Sequence, residues 1–148
     1  MSKKCVGKII ELFISIKESS TRINKPTIEL DLAGVVGDKF YDKDNIRSIL
    51  ITSTDSYNLI KEYEIEMPYG YLGENILMDY NPYALSMGSR FQIGTVVLEI
   101  SQNCTICNHL SVLDKRIPKL LKNDRGIFAK VIKPGRISKN DDLYMLEE

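Results

Sequence analysis

Phe91-Gln92-Ile93-Gly94-Thr95-Val96-Val97-Leu98-Glu99-Ile100 is the stretch that decides the fold class. Apolar residues at 91, 93, 96, 98 and 100 alternate across Gly94-Thr95, the pattern of a β-hairpin whose glycine supplies the unusual φ of the turn. Toward the C-terminus, Ile127 to Ile132 reads as a strand, Lys133-Pro134-Gly135 as a turn and Asp142 to Leu146 as a closing strand. Toward the N-terminus, Ile76 to Met78 is a short strand after Gly70 and Gly73. Asn45 to Ser53 is a strand that feeds a helix through Glu62, with Ser53 or Thr54 as its N-cap. Val6 to Ile16 and Thr27 to Val36 read as two early strands, the first with an imperfect period, the second turning at Gly34 and Gly37. Leu110 to Asn123 has apolar residues at helical spacing, broken or distorted at Pro118. Many short strands and only two helices predict a mainly β fold, a barrel or sandwich with a few short helices.

The 148 residues suit one domain, and 43% hydrophobic content suffices for its core. Lys plus Arg and Asp plus Glu both total 20, so no whole-molecule field favours nucleic acid or an anionic membrane. The start MSKKCVGKIIELFISI superficially resembles a signal peptide. Glu11 and Lys17 interrupt its apolar run, and no small-residue cleavage site follows. A spanning helix needs roughly 20 apolar residues, far more than Ile46 to Ile51 offers. The expectation is a soluble, cytoplasmic protein. Its three cysteines, Cys5, Cys104 and Cys107, are then free thiols rather than a disulfide framework, with Cys5 structural.

Cys104-Thr-Ile-Cys107-Asn-His109 holds the most chemistry, two thiols at a strand-to-helix junction where a helix N-terminus would favour the Cys107 thiolate. Four readings of the pair stay open. Cys107 is a nucleophile or sulfur carrier with Cys104 as resolving thiol; the pair is a redox switch, although no βαβ pattern accompanies it; Cys104, Cys107, His109 and a distant Cys5 bind zinc; or both cysteines are small, partly buried hydrophobes. His109, the only histidine, is either the one imidazole for proton transfer or an ordinary residue of a first helical turn.

Gly37-Asp38-Lys39 offers an acceptor and a cation on one turn, and Arg47 a planar donor fork for phosphate. The plain alternative is an Asp38–Arg47 salt bridge that shapes the loop. Glu74 and Asn75 follow Gly73, with Glu74 either bracing a loop through backbone N–H groups or acting on substrate. Arg125 adds positive charge or is an exposed turn residue. Tyr69, Tyr71 and Tyr80 line a cleft or cover a barrel mouth.

Gly34-Val-Val-Gly37-Asp38-Lys39, Arg47, Gly73-Glu74-Asn75, Cys104-x-x-Cys107-x-x-Leu110, Gly126-Ile-Phe-Ala129 and Pro134-Gly135 stand in the order seen in MOSC domains. The chain resembles a stand-alone bacterial-type member of that family, named for the C-terminal domain of molybdenum-cofactor sulfurases, from about Lys8 to Leu143. The resemblance implies a single barrel-like domain over 1–148 with a cleft and a molybdopterin-type molybdenum cofactor. Cys107 would be the family cysteine, acting as thiolate, persulfide carrier or metal ligand with Cys104 as helper. Asp38, Lys39, Arg47, Glu74, Asn75 and Arg125 would be the cofactor-binding set, with Lys39, Arg47 and Arg125 on its anionic tail. Implied partners are a cysteine desulfurase or an electron-donor protein, without nucleic acid or membrane. Two alternatives are a molybdenum-dependent reductase of N-hydroxylated compounds and a non-catalytic binding module. Phe40, where many members carry histidine, keeps the last of these open.

Overall fold

The hairpin forms as expected in the computed structural model, which describes residues 3–16, 22–43, 47–104 and 110–146, with the side chains of 110 and 111 left aside. Strand β7 (Arg90–Ile93) turns at Gly94, φ 60°, into β8 (Val96–Asn103). Around it stand β1 (Lys3–Ser15), β5 (Ile49–Ser53), β6 (Ile76–Met78), β9 (Ile127–Lys133) and β11 (Asp142–Leu146). Their order is β1-β6-β5-β9-β8-β7-β11, and β11 pairs back onto β1, closing a seven-stranded barrel. Closure leaves no sheet edge among these strands, and β2 (Arg22–Lys25) is added outside, on β1.

Several elements differ from the sequence reading, among them the strand expected over Thr27 to Val36, which is split into two antiparallel strands, Thr27–Asp31 and Gly34–Val35. The imperfect period of β1 has a cause: its register slips between Cys5 and Gly7 and again between Ile9 and Glu11, and each bulge changes which residues face inward. The βαβ pattern that the sequence does not display is present. Ser53 caps α1 (Thr54–Glu62) by accepting from Asp55 N, and α1 joins β5 to β6, the one parallel pair among the described residues. A loop from 63 to 75 delays a three-residue β6, which hides the unit from pattern reading. The helix expected over 110–123 is two single turns, α2 (Leu110–Leu113) and α3 (Ile117–Leu120). Pro118 opens α3 instead of kinking a longer helix, because its ring suits a first turn and its missing N–H would interrupt an interior. The Asp114 carboxylate accepts from Arg116 N at 2.8 Å and fixes the break.

A second sheet, β10 (Gly135–Ser138), β3 (Thr27–Asp31) and β4 (Gly34–Val35), packs Ile28, Leu30, Val35 and Ile137 into the barrel core. Strand alternation then sorts the apolar residues. Ile49 and Ile51 enter that core with Ile127 and Ala129, whereas Leu50, Leu77 and Phe128 belong to the other face. Leu77 joins Tyr57, Ile60, Ile117 and Leu121 in a separate cluster beneath α1 and α3. Among the described residues no helix is long and apolar enough to cross a membrane.

Candidate functional site

Asp38 is buried where the loop after β4 meets the end of β1, and Lys39 N donates to Ser15 O at 2.8 Å. Its Oδ1 accepts from Ser15 N at 2.7 Å and Asn75 Nδ2 at 3.4 Å; Oδ2 accepts from Phe40 N at 3.1 Å. The salt bridge considered with Arg47 is replaced by one to Arg22, 4.0 Å from Oδ1. The Arg47 guanidinium instead lies over the Phe128 ring, 5.1 Å from its centroid. The partner is Arg22 because β2 pairs with the end of β1, Ser15 opposite Arg22, and delivers that side chain to the same spot.

Glu74 is fully buried and Asn75 nearly so. Glu74 does not brace backbone N–H groups. Its Oε2 accepts from the hydroxyls of Thr52 and Tyr57, and Tyr57 OH in turn accepts from Gly70 N at 3.2 Å and Leu72 N at 3.4 Å. One carboxylate thus ties β5, α1 and the 70–72 turn together. Glu74 Oε1 has no hydrogen-bond partner among the described residues. The Asn75 amide is committed to structure, accepting from Leu50 N and donating to Phe13 O. Gly73 has φ 90°, and a Cβ there would sit 3.0 Å from Arg22 Nη2, so glycine makes room for the guanidinium.

Burial, reinforced by the Glu74 charge and hydrogen bond, raises the Tyr57 hydroxyl far above its usual range. An unfolded tyrosine ionises near pH 10 and this one does not, so its contribution is complete below about pH 10 and declines by about 1.4 kcal/mol per pH unit above it. Urea unfolding at pH 9 and 11 is expected to show wild type losing about 1.4 kcal/mol more than Tyr57→Phe over that interval. Equal losses in the two proteins would contradict this assignment.

On the outer barrel face beside Leu50 and Phe128 lies a cleft of about 900 Å³. Arg22, Lys39, Lys43, Arg47 and Arg125 line it, together with Phe13, Tyr69, Tyr71 and Phe128, and no Asp or Glu is among the described lining residues. Of the predicted set, Lys39, Arg47, Asn75, Arg125 and the half-buried Cys104 reach this wall. Asp38 and Glu74 are buried and outside the lining set. Arg125, considered as an exposed turn residue, is 3% exposed. Tyr80 does not join Tyr69 and Tyr71 at the cleft; its ring packs edge-on against Phe91. Cys5, expected to be structural, is exposed near the start of β1. Cys107 and His109 lie outside the described residues. Among those described, no group of three His, Cys, Asp or Glu side chains is placed to hold a metal. Arg22 and Lys43 have no local signal in the sequence; Arg22 sits in the polar run Arg22-Ile-Asn-Lys25, and only its contacts reveal it.

Solved structures share this architecture. The YuaD protein of Bacillus subtilis superposes with a TM-score of 0.82 at 18% identity, covering 97% of each chain. YiiM from Escherichia coli gives a TM-score of 0.70 at 18% identity over 95% of this chain and 70% of that one. YiiM from Geobacillus stearothermophilus gives 0.69 at 15% identity over 99% and 76%. At such identities the likeness shows the fold alone. No curated protein matches the sequence. Residues 42–144 match the MOSC domain family model, and with the barrel and the ordered motifs in place, the chain belongs to the MOSC domain family, which is linked to molybdenum-cofactor binding.

Proposed function

We propose that the cleft binds a molybdopterin-type molybdenum cofactor and that Cys107 works at it as thiolate ligand or persulfide carrier. The observation that carries this reading is the wall itself: five cations and no carboxylate among the described lining residues, with Cys104, three residues before Cys107, on the same surface. The residues fit the group. A cleft of about 900 Å³ accommodates a cofactor of that size, the cations suit an anionic tail, and aromatic side chains suit a flat ring system. Lys39, Arg47 and Arg125 would hold the anionic tail, with Asp38 and Glu74 acting from behind the wall as positioning residues. When bound, the group supplies a metal centre for sulfur- or oxygen-atom transfer.

The protein's own share of sulfur transfer falls to the thiol pair. The Cys107 thiolate takes sulfane sulfur from the persulfide of a cysteine desulfurase, whose cysteine leaves as thiolate. Attack by the Cys104 thiolate on Cys107 Sγ then expels hydrosulfide and leaves a Cys104–Cys107 disulfide, which a cellular thiol reduces. Cytoplasmic action follows from the need for reduced thiols.

Elemental analysis of protein made in a cofactor-competent host tests the reading. The expected result is molybdenum in proportion to protein, a pterin fluorophore after oxidation, and loss of the metal in Cys107→Ala. Incubation with a desulfurase and cysteine should add the mass of one sulfur atom at Cys107. Protein free of both molybdenum and pterin, yet fully active in the cell, would refute the cofactor.

A further inference from the structure

Two segments, 61–66 and 114–122, form the outside of the layer that α1 and α3 add to the barrel. Their inward residues meet: Ile60, Ile65, Ile117 and Leu121 share one buried cluster, so the segments are neighbours. Outward they carry opposite charge. Glu62, Glu64 and Glu66 are exposed on the first and outnumber Lys61. Lys115, Lys119 and Lys122 are exposed on the second, where Asp114 is taken by Arg116 at 2.9 Å. The Arg116 pKa is raised by its hydrogen bond to Asp114 and also by the Glu64 charge, so the two runs lie within electrostatic reach. None of these three glutamates and three lysines makes an ion pair among the described residues.

Apolar side chains accompany the charges. In the single turn of α2, Val112 is 84% exposed and Leu113 41%, and Tyr63, between Glu62 and Glu64, is 45% exposed. So short a helix draws little stability from its own hydrogen bonds, and large apolar side chains grouped in water and rimmed by charge mark a surface that another molecule covers. Charge decides which molecule. A uniformly acidic partner would be repelled by the glutamate run, and a uniformly basic one by the lysine run. A second copy meets neither obstacle: a two-fold axis lying in the face between the runs sets each glutamate run on the other copy's lysine run. The formal net charge is zero, so two copies approach without overall repulsion.

We propose that the outer face over α1 and α3 is a self-complementary docking surface for a second copy of this chain. Glu62, Glu64 and Glu66 of one copy face Lys115, Lys119 and Lys122 of the other, twice by symmetry, and Tyr63, Val112 and Leu113 leave water in the contact. This interface does not rest on what the cleft binds.

Sedimentation velocity of the full chain over a range of concentrations tests it. Wild type is expected to form a dimer at low ionic strength and to dissociate more readily in about 1 M salt, where the screening length falls to about 3 Å. Two charge-reversed variants carry the decisive comparison. Glu62→Lys/Glu64→Lys/Glu66→Lys makes the whole face basic, and Lys115→Glu/Lys119→Glu/Lys122→Glu makes it acidic, so each alone should be monomeric. Mixed in equal amounts, the two should pair as a heterodimer, because every basic run then meets an acidic one. Circular dichroism checks that each variant is folded; if either is not, the salt dependence of wild type together with Val112→Asp, expected to weaken the dimer at least tenfold, decides. A wild-type chain that stays monomeric up to about 1 mM would overturn the proposal, and would leave the face to some other molecule. So would a dimer that both charge-reversed variants retain, which places the contact elsewhere, or folded variants that fail to pair when mixed.

Discussion

Asp38→Ala is expected to lose about 3–5 kcal/mol of stability, the range for breaking a buried charge pair by removing one partner. The Asp38 side chain is 1% exposed, so water cannot replace what the substitution removes. Ser15 N, Phe40 N and the Asn75 amide lose their common acceptor, and Arg22 loses the anion that offsets its charge. Each orphaned buried donor alone costs about 1–3 kcal/mol. Asp38→Asn keeps an acceptor for only one of the two backbone N–H groups and loses the charge, and should fall between wild type and Asp38→Ala in urea unfolding. A loss under about 1 kcal/mol in the alanine variant would mean that Asp38 does not hold the loop as its contacts imply. Anion binding should weaken with Asp38→Asn even where the fold survives, because Arg22 is then no longer anchored.

Glu74→Ala is expected to be comparably severe, again about 3–5 kcal/mol. Glu74 is completely buried, and its removal strips the Thr52 and Tyr57 hydroxyls of their acceptor. Tyr57 also receives the N–H groups of Gly70 and Leu72 and meets Tyr69 edge-on at 4.9 Å, so the damage passes to the turn that lines the cleft. The Tyr57→Phe and Glu74→Ala effects should therefore be clearly less than additive in a double-mutant cycle, because both break the same hydrogen bond. Additive losses would show that the two residues act independently. Glu74→Gln separates shape from charge: it retains an acceptor for the hydroxyls but leaves Arg22 less compensated, so part of the loss should persist.

These two carboxylates show how far residue type alone leads. The motif order marks Asp38 and Glu74 as site residues, and both are coupled to the cleft. Neither lines it: both Asp38 oxygens and Glu74 Oε2 accept from local donors inside the wall, where a carboxylate does not face an anion. Lys39, Arg47, Asn75, Arg125 and Cys104, named from the same motifs, do reach the cleft. The βαβ unit escaped because it depends on which segments pair, and pattern reading sees only neighbours in sequence; the helix break expected at Pro118 falls instead at 114–116.

The sequence by itself determined the mainly β class, the 91–100 hairpin, a helix capped at Ser53 or Thr54, the strands before and after the cysteine pair, and the family. The elements are set by local periodicity and turn chemistry, which operate within a few residues, and the family by the order of short motifs from Gly34 to Gly135. Tertiary structure alone decided the closure of β11 on β1, the strands β2 and β10, and the union of Arg22 with Asp38 and Gly73. Arg22-Ile-Asn-Lys25 and Gly135-Arg-Ile-Ser138 are short and only partly buried, so they carry little apolar alternation of their own. Their conformation is stabilised by hydrogen bonds and burial that the rest of the chain supplies, and such contacts leave no local trace in the sequence.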